Sequence, residues 1–136
     1  MTEQLKERKV LSLKELIQNK VKYERKDGGE LKTLHVDRLS SDIVIEVPSK
    51  DVCMDTIDMT KDEEQAKKAD EYIVYTVMRE PNLKDSELQK AYECAEPMDI
   101  VGKLFTPGEI TDISNLAFDA AGFSRGSVSV VKELKN

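Results

Sequence analysis

Five groups of residues in this 136-residue chain have types and spacings that could carry chemistry. Gly122-Phe123-Ser124-Arg125-Gly126 fits G-x-S-x-G, the pattern that raises a nucleophilic serine on a strand-to-helix turn beside a histidine base. That elbow needs a parallel sheet beneath it. Here the motif follows a helix pattern, and the single histidine is His35. Gly122 reads better as a left-handed helix stop, with Phe123 folding back on Phe118. His35 alternates with Leu34 and Val36, which places it on the surface of a strand or hairpin rather than in a base or ligand role. The acid run Asp55, Asp58, Asp62, Glu63 and Glu64 lacks the glycine and the D-x-D-x-D spacing of a calcium loop, so it reads as a solvated lead into a helix. Gly28-Gly29 is a turn without the following G-K-S/T of a phosphate cradle. Cys53 and Cys94 form no Cys-x-x-Cys pair and have no histidine nearby to complete a zinc site; they read as free thiols of a reducing compartment. No catalytic, cofactor-binding or metal-binding residue is assigned. By elimination the chain binds other proteins.

Bulk properties narrow the partners. The formal charge is -6, which opposes a sequence-independent grip on a phosphate backbone, and no helix is basic enough to read a DNA groove. Met1–Lys9 is charged where a secretory signal would be apolar, and no run approaches the ~20 apolar residues of a membrane span. A soluble, intracellular protein is expected. With 3 Phe, 4 Tyr and no Trp, the core must be filled by Leu, Ile, Val, Met and Ala.

The elements that would position these residues follow from local signals. The fold expected is α+β and mainly α, a single domain over 1–136: a small N-terminal antiparallel hairpin or sheet, then a cluster of about four helices. Residues 1–10 are charged and should fray. Ser12-Leu13-Lys14-Glu15 is a capping box opening a short helix to about Asn19, with Leu11 and Leu16 as its staple and Leu13, Leu16 and Ile17 on one face. Val21–Lys26 has strand character, Asp27-Gly28 suits a tight hairpin turn, and Leu31–Val36 would return. Ile43–Val47 is a third β-branched run, stopped by Pro48. A helix over 49–58 completes this annex.

The helical core spans 60–123. Thr60-Lys61-Asp62-Glu63 reads as a second capping box, and Ala66, Ala69, Ile73 and Val77 mark one stripe of a helix ended by Pro81. Asp85 caps the next helix, where Leu88, Ala91, Tyr92 and Ala95 share a face. Pro97 opens a third, with Met98, Val101, Leu104 and Phe105 inward. Thr106-Pro107-Gly108-Glu109 is the sharpest start: a threonine cap, proline at the first helical position and a closing glutamate. Phe105 and Ile110 staple it, and Ile110, Ile113, Ala117 and Ala120 form its buried stripe. Residues 124–136 form a tail, apolar at Val128, Val130 and Val131.

The stretch Pro81–Tyr92, then Pro97-Met98-Asp99-Ile100-Val101, Pro107-Gly108-Glu109-Ile110 and Ala121-Gly122-Phe123, resembles the XkdN-like family of phage tail assembly chaperones. That family has a "P-N/D-L-K-D-x-E-L" joint, a "P-x-x-L" helix and a "P-G-E" helix ending in "G-F". The resemblance covers most of residues 12–123. Ile100-Val101 stands where the family has a Leu pair, and residues 38–58 match no family motif. It implies a phage or prophage protein of the bacterial host cytoplasm that binds the tape measure protein, helps recruit tail tube subunits and is absent from the finished particle. It also implies that a longer frameshifted product often exists. No cofactor, nucleic acid or membrane is implied, and a homo-oligomer stays open. The candidate contacts are Val74, Tyr75 and Met78, where Tyr72–Met78 is apolar on nearly all sides, and the tail valines Val128, Val130 and Val131. The alternatives are core packing for the first set and a disordered tail for the second. A minor structural component of the tail, or a small regulatory or enzymatic protein of other descent, are the rival functions.

Overall fold

The computed structural model describes residues 9–131. The expected frayed start therefore lies almost wholly outside the described residues, as do the last five residues of the tail. Two short helices come first, α1 (Leu13–Gln18) and α2 (Lys20–Tyr23). The Ser12–Glu15 capping box forms as expected, and Asn19 interrupts the helix between the two segments. Val21–Lys26 is thus not a strand. Its two apolar side chains sit among charges, and both edges of the central strand are taken by other segments.

The hairpin is built one step later. β1 (Leu31–Val36) pairs antiparallel with β2 (Ser41–Glu46), from Leu31 opposite Glu46 to Val36 opposite Ser41. A 3-10 turn at Asp37–Leu39 joins them, closed by Ser40 in the left-handed region (φ 48°). Gly28 and Gly29 also have positive φ, but they serve a docking turn rather than a hairpin. Gly29 N–H donates to the Val47 carbonyl at 2.9 Å, and Asp27 Oδ1 accepts from Lys50 N–H at 2.8 Å.

The third strand comes from an unexpected place. β3 (Met78–Glu80) follows directly on a helix and pairs antiparallel with β2, Ile45 opposite Met78, giving the order β1-β2-β3. Two forces end the helix early. Proline at 81 pushes Glu80 to an extended backbone, and β2 offers an otherwise unpaired edge. Arg79 locks the pairing through Glu46 at 2.7 Å.

The remaining helices are α3 (Lys50–Met59), α4 (Glu63–Ala66), α5 (Ala69–Val77), α6 (Ser86–Ala91), α7 (Asp99–Leu104) and α8 (Pro107–Ala120). Ser49 caps α3, Asp85 caps α6, and Thr106 with Glu109 forms the capping box of α8. The box at Thr60 does not form. Thr60 instead ends α3, its hydroxyl donating to the Ile57 carbonyl, and Asp62 caps α4. The single helix expected from 60 to 80 is therefore α4, α5 and β3. The expected stripe on α6 also fails beyond Leu88, because the helix stops at Ala91. Glu93 is left-handed (φ 54°) and Cys94 N–H donates back to the Gln89 carbonyl, so Ala91, Tyr92 and Ala95 face solvent. Gly122 ends α8 as expected (φ 93°), and Phe123 packs edge-on to Phe118 at 5.5 Å.

One core serves sheet and helices together. Ile43 and Ile45 of the sheet join Ile73, Val74 and Val77 of α5, Leu83, Ile100, Val101, Phe105 and the α8 residues Ile110, Ile113 and Ala117. Helix α5 is central, packing against α3, α7 and α8. Ser114, not Ala120, completes the buried face of α8, and its hydroxyl reaches Asp70 of α5 at 2.9 Å.

Candidate partner-binding surfaces

The chemical motifs end in ordinary structural roles. Ser124 is exposed after a helix, and the sheet of the described residues is antiparallel, so no nucleophile elbow is built. His35 lies exposed on the hairpin, its Nδ1 2.7 Å from Asp42 and its Nε2 3.6 Å from Asp37. Among the described residues no group of three or more His, Cys, Asp or Glu is placed to hold a metal. Both cysteines are free thiols. Cys53 is buried, which pushes its thiol up from the ordinary value, with Asp27 adding to the rise; Cys94 is half-buried.

The predicted contact residues divide. Val74 and Met78 belong to the core and present no surface, because the chain turns at Met78 into β3 and carries its side chain under the sheet. Tyr75 is half-buried and packs on that core, with the Lys84 ammonium 5.6 Å over its ring. Val128, Val130 and Val131 are exposed in an irregular tail.

Two further apolar surfaces escaped the sequence reading. The first is α1–α2. None of their residues is buried, and Val10, Leu13, Ile17 and Val21 are 92%, 78%, 75% and 90% exposed. Leu13 and Ile17 lie one turn apart on α1, whereas Val10 precedes the cap at Ser12 and Val21 belongs to α2, beyond the break at Asn19. The periodicity was legible, but it does not tell a buried face from an unpartnered one. The second is a groove of about 530 Å³ between the end of β1 and α8. Leu34, Val36, Ile113 and Leu116 line it, with Asp37 and Asp112 at its rim.

Arg38 braces the mouth of that groove. Its guanidinium donates to both Glu109 carboxylate oxygens at 3.0 Å and to the Leu104 carbonyl at 2.7 Å. The hydrogen bonds from Arg38, then that from the Thr106 backbone N–H, hold the Glu109 carboxyl below its ordinary value, and Glu109 raises Arg38 in return. One glutamate thus closes the helix cap and ties the hairpin turn to α8.

Exposed apolar surface of this kind is a common mark of protein–protein contact sites. Comparison with known proteins agrees: a model of the phage XkdN-like tail assembly chaperone proteins matches residues 13–135. No curated protein and no solved structure matches the chain. With the match spanning all but the ends of the 136 residues, the chain belongs to the XkdN-like family of phage tail assembly chaperones.

Proposed function

We propose that this chaperone binds the tape measure protein of its phage in the cytoplasm of the bacterial host. It keeps that protein soluble until tail tube subunits assemble around it, and it is absent from the finished particle. It works by binding, without catalysis. The observation that carries this reading is the amount of apolar side chain left in solvent on an acidic family member, at the tail valines Val128, Val130 and Val131 above all. A tape measure protein presents long apolar helical stripes, which such segments cover by apolar contact while the net charge of -6 keeps the complex dispersed. Of the earlier girdle, only Tyr75 keeps part of its side chain exposed, so it is the one carried forward as a candidate contact, while buried Val74 and Met78 are not.

The test is co-expression of the tagged chain with its tape measure protein, scoring the solubility of the tape measure and the composition of purified virions. A soluble complex and virions free of the chain are expected. An insoluble, unbound tape measure would overturn the reading, and the chain's presence in virions would make it a structural component of the tail.

A further inference from the structure

The tail beyond α8 has the pattern of a strand and no sheet to join. Ser127-Val128-Ser129-Val130 alternates a small polar residue with a β-branched one, so an extended backbone puts Val128 and Val130 on one side. Both stand in solvent, and the family match runs through this segment to residue 135, so the tail is part of what the family shares. An open place for a strand exists on the same molecule. Among the described residues β1 pairs with β2 alone, which leaves one row of its backbone donors and acceptors unpaired. The groove lies along that strand, with Leu34, His35 and Val36 on one wall and Ile113 and Leu116 of α8 on the other.

We infer that residues 127–131 dock on the open edge of β1 in the same molecule, parallel to it, and that Val128 and Val130 close the groove against Leu34, Val36 and Leu116. Chain direction and length support this. Arg38, just past the end of β1, is bound to Glu109 in the first turn of α8, and the groove extends from there to Leu34 and Leu116. Helix and strand thus run in opposite directions. They are also equally long, since 14 residues of helix and 6 of strand each cover about 20 Å. The chain accordingly leaves α8 near the start of β1. Gly122 and Gly126 are both left-handed (φ 93° and 92°), which lets the backbone reverse there. Residues 127–131 then reach about 16 Å back along the strand, most of its length. A strand that arrives by way of a helix packed on the same sheet is the ordinary parallel neighbour. The structure holds this strap open, with none of its residues lining the groove. Closing it covers the valines assigned above to the tape measure protein, so on that reading a client has to lift the tail before it is bound.

The chain has no tryptophan, so Val130→Trp supplies a single fluorophore in the tail. In the purified full chain its emission should lie to the blue of the same variant unfolded in urea, and adding Leu116→Glu should move it back to the red. Hydrogen exchange gives a second readout. Amides of 127–131 and the outward amides of β1 should exchange about tenfold faster in Val128→Asp/Val130→Asp than in wild type. Those two positions are exposed, so the double variant keeps the core intact. Neither effect should depend on protein concentration. A red-emitting tryptophan, a blue emission that Leu116→Glu leaves in place, or a wild-type tail that exchanges as fast as the double variant would each overturn the proposal. So would protection that falls on dilution, which would put the tail on a second copy. Should Leu116→Glu fail to fold by circular dichroism, the exchange comparison decides alone. The purified chain is measured without tape measure protein, so a failure here leaves the proposed function standing.

Discussion

Gly28 and Gly29 are adjacent, both left-handed (φ 80° and 90°), and yet replacing each by alanine should have unequal consequences. An L side chain in that region costs roughly 1–2 kcal/mol, partly offset by about 0.4–1 kcal/mol from the stiffer unfolded chain. At Gly29 nothing lies within 4 Å of the added Cβ, so only this backbone cost applies and Gly29→Ala should destabilise by about 1 kcal/mol. At Gly28 the same Cβ would stand 2.7 Å from the Val47 carbonyl oxygen and 2.9 Å from the Pro48 carbonyl carbon and oxygen. All three are backbone atoms, and Val47 is held by the Gly29-to-Val47 and Val47-to-Glu30 hydrogen bonds. The turn must open to admit the methyl group, which brings the total to about 3 kcal/mol. For a chain of this size about 1 kcal/mol corresponds to about 4 °C in Tm. Thermal and urea unfolding followed by circular dichroism should therefore place Gly28→Ala about 8 °C below Gly29→Ala. Equal shifts for the two variants, or a neutral Gly28→Ala, would refute the docking-turn account of residues 27–29.

Three other outcomes follow from the same geometry. Cys94 should react with a thiol reagent at mildly alkaline pH well before Cys53, whose burial both shields the sulfur and disfavours the thiolate, so a titration should show one fast and one slow thiol. Glu109 is held below its ordinary value in the folded chain, so its stabilising effect is complete above the ordinary glutamate range and is lost as pH falls through the lowered value. Glu109→Gln should accordingly flatten the acid side of a stability-against-pH curve, and an unchanged slope would sink the Arg38 brace. Ser114→Ala removes the hydroxyl that α8 offers to Asp70 and should cost about 1 kcal/mol in urea unfolding, about the net worth of one hydrogen bond.

What the sequence made legible was local. The caps at Ser12, Asp85 and Thr106 and the stop at Gly122 depend on residues within four positions of each other, and all are present. Where two cap types stood close together, at Thr60 and Asp62, the pattern could not say which of them the helix would use. Strand pairing was hidden for a different reason. Met78–Glu80 continues an apolar helical run, and nothing near it announces that β2, more than thirty residues earlier, lacks a partner on that edge. The burial of Leu83 and the exposure of Leu13 and Ile17 are likewise tertiary outcomes of similar local patterns. The candidate surfaces split along the same line. The tail valines were visible as an apolar segment with no helical or strand frame around it, whereas the groove is made by residues 34–43 and 109–116, which only the fold brings together.

The fusion of α5 to β3 has a consequence for how the protein is made. On the ribosome the β1–β2 hairpin is complete at Glu46, but the strand that finishes its sheet ends at Glu80. At about 5–20 residues per second those 34 residues take about 2–7 s. Throughout that interval Ile43 and Ile45 have neither their third strand nor α5 to cover them, and Ile113 and Ala117 of α8 arrive later still. The nascent chain thus carries an uncovered apolar hairpin while the next 34 residues are synthesised. Asp42 and Glu46, the charges on β2 itself, disfavour pairing of that open edge with a neighbour on the same polysome.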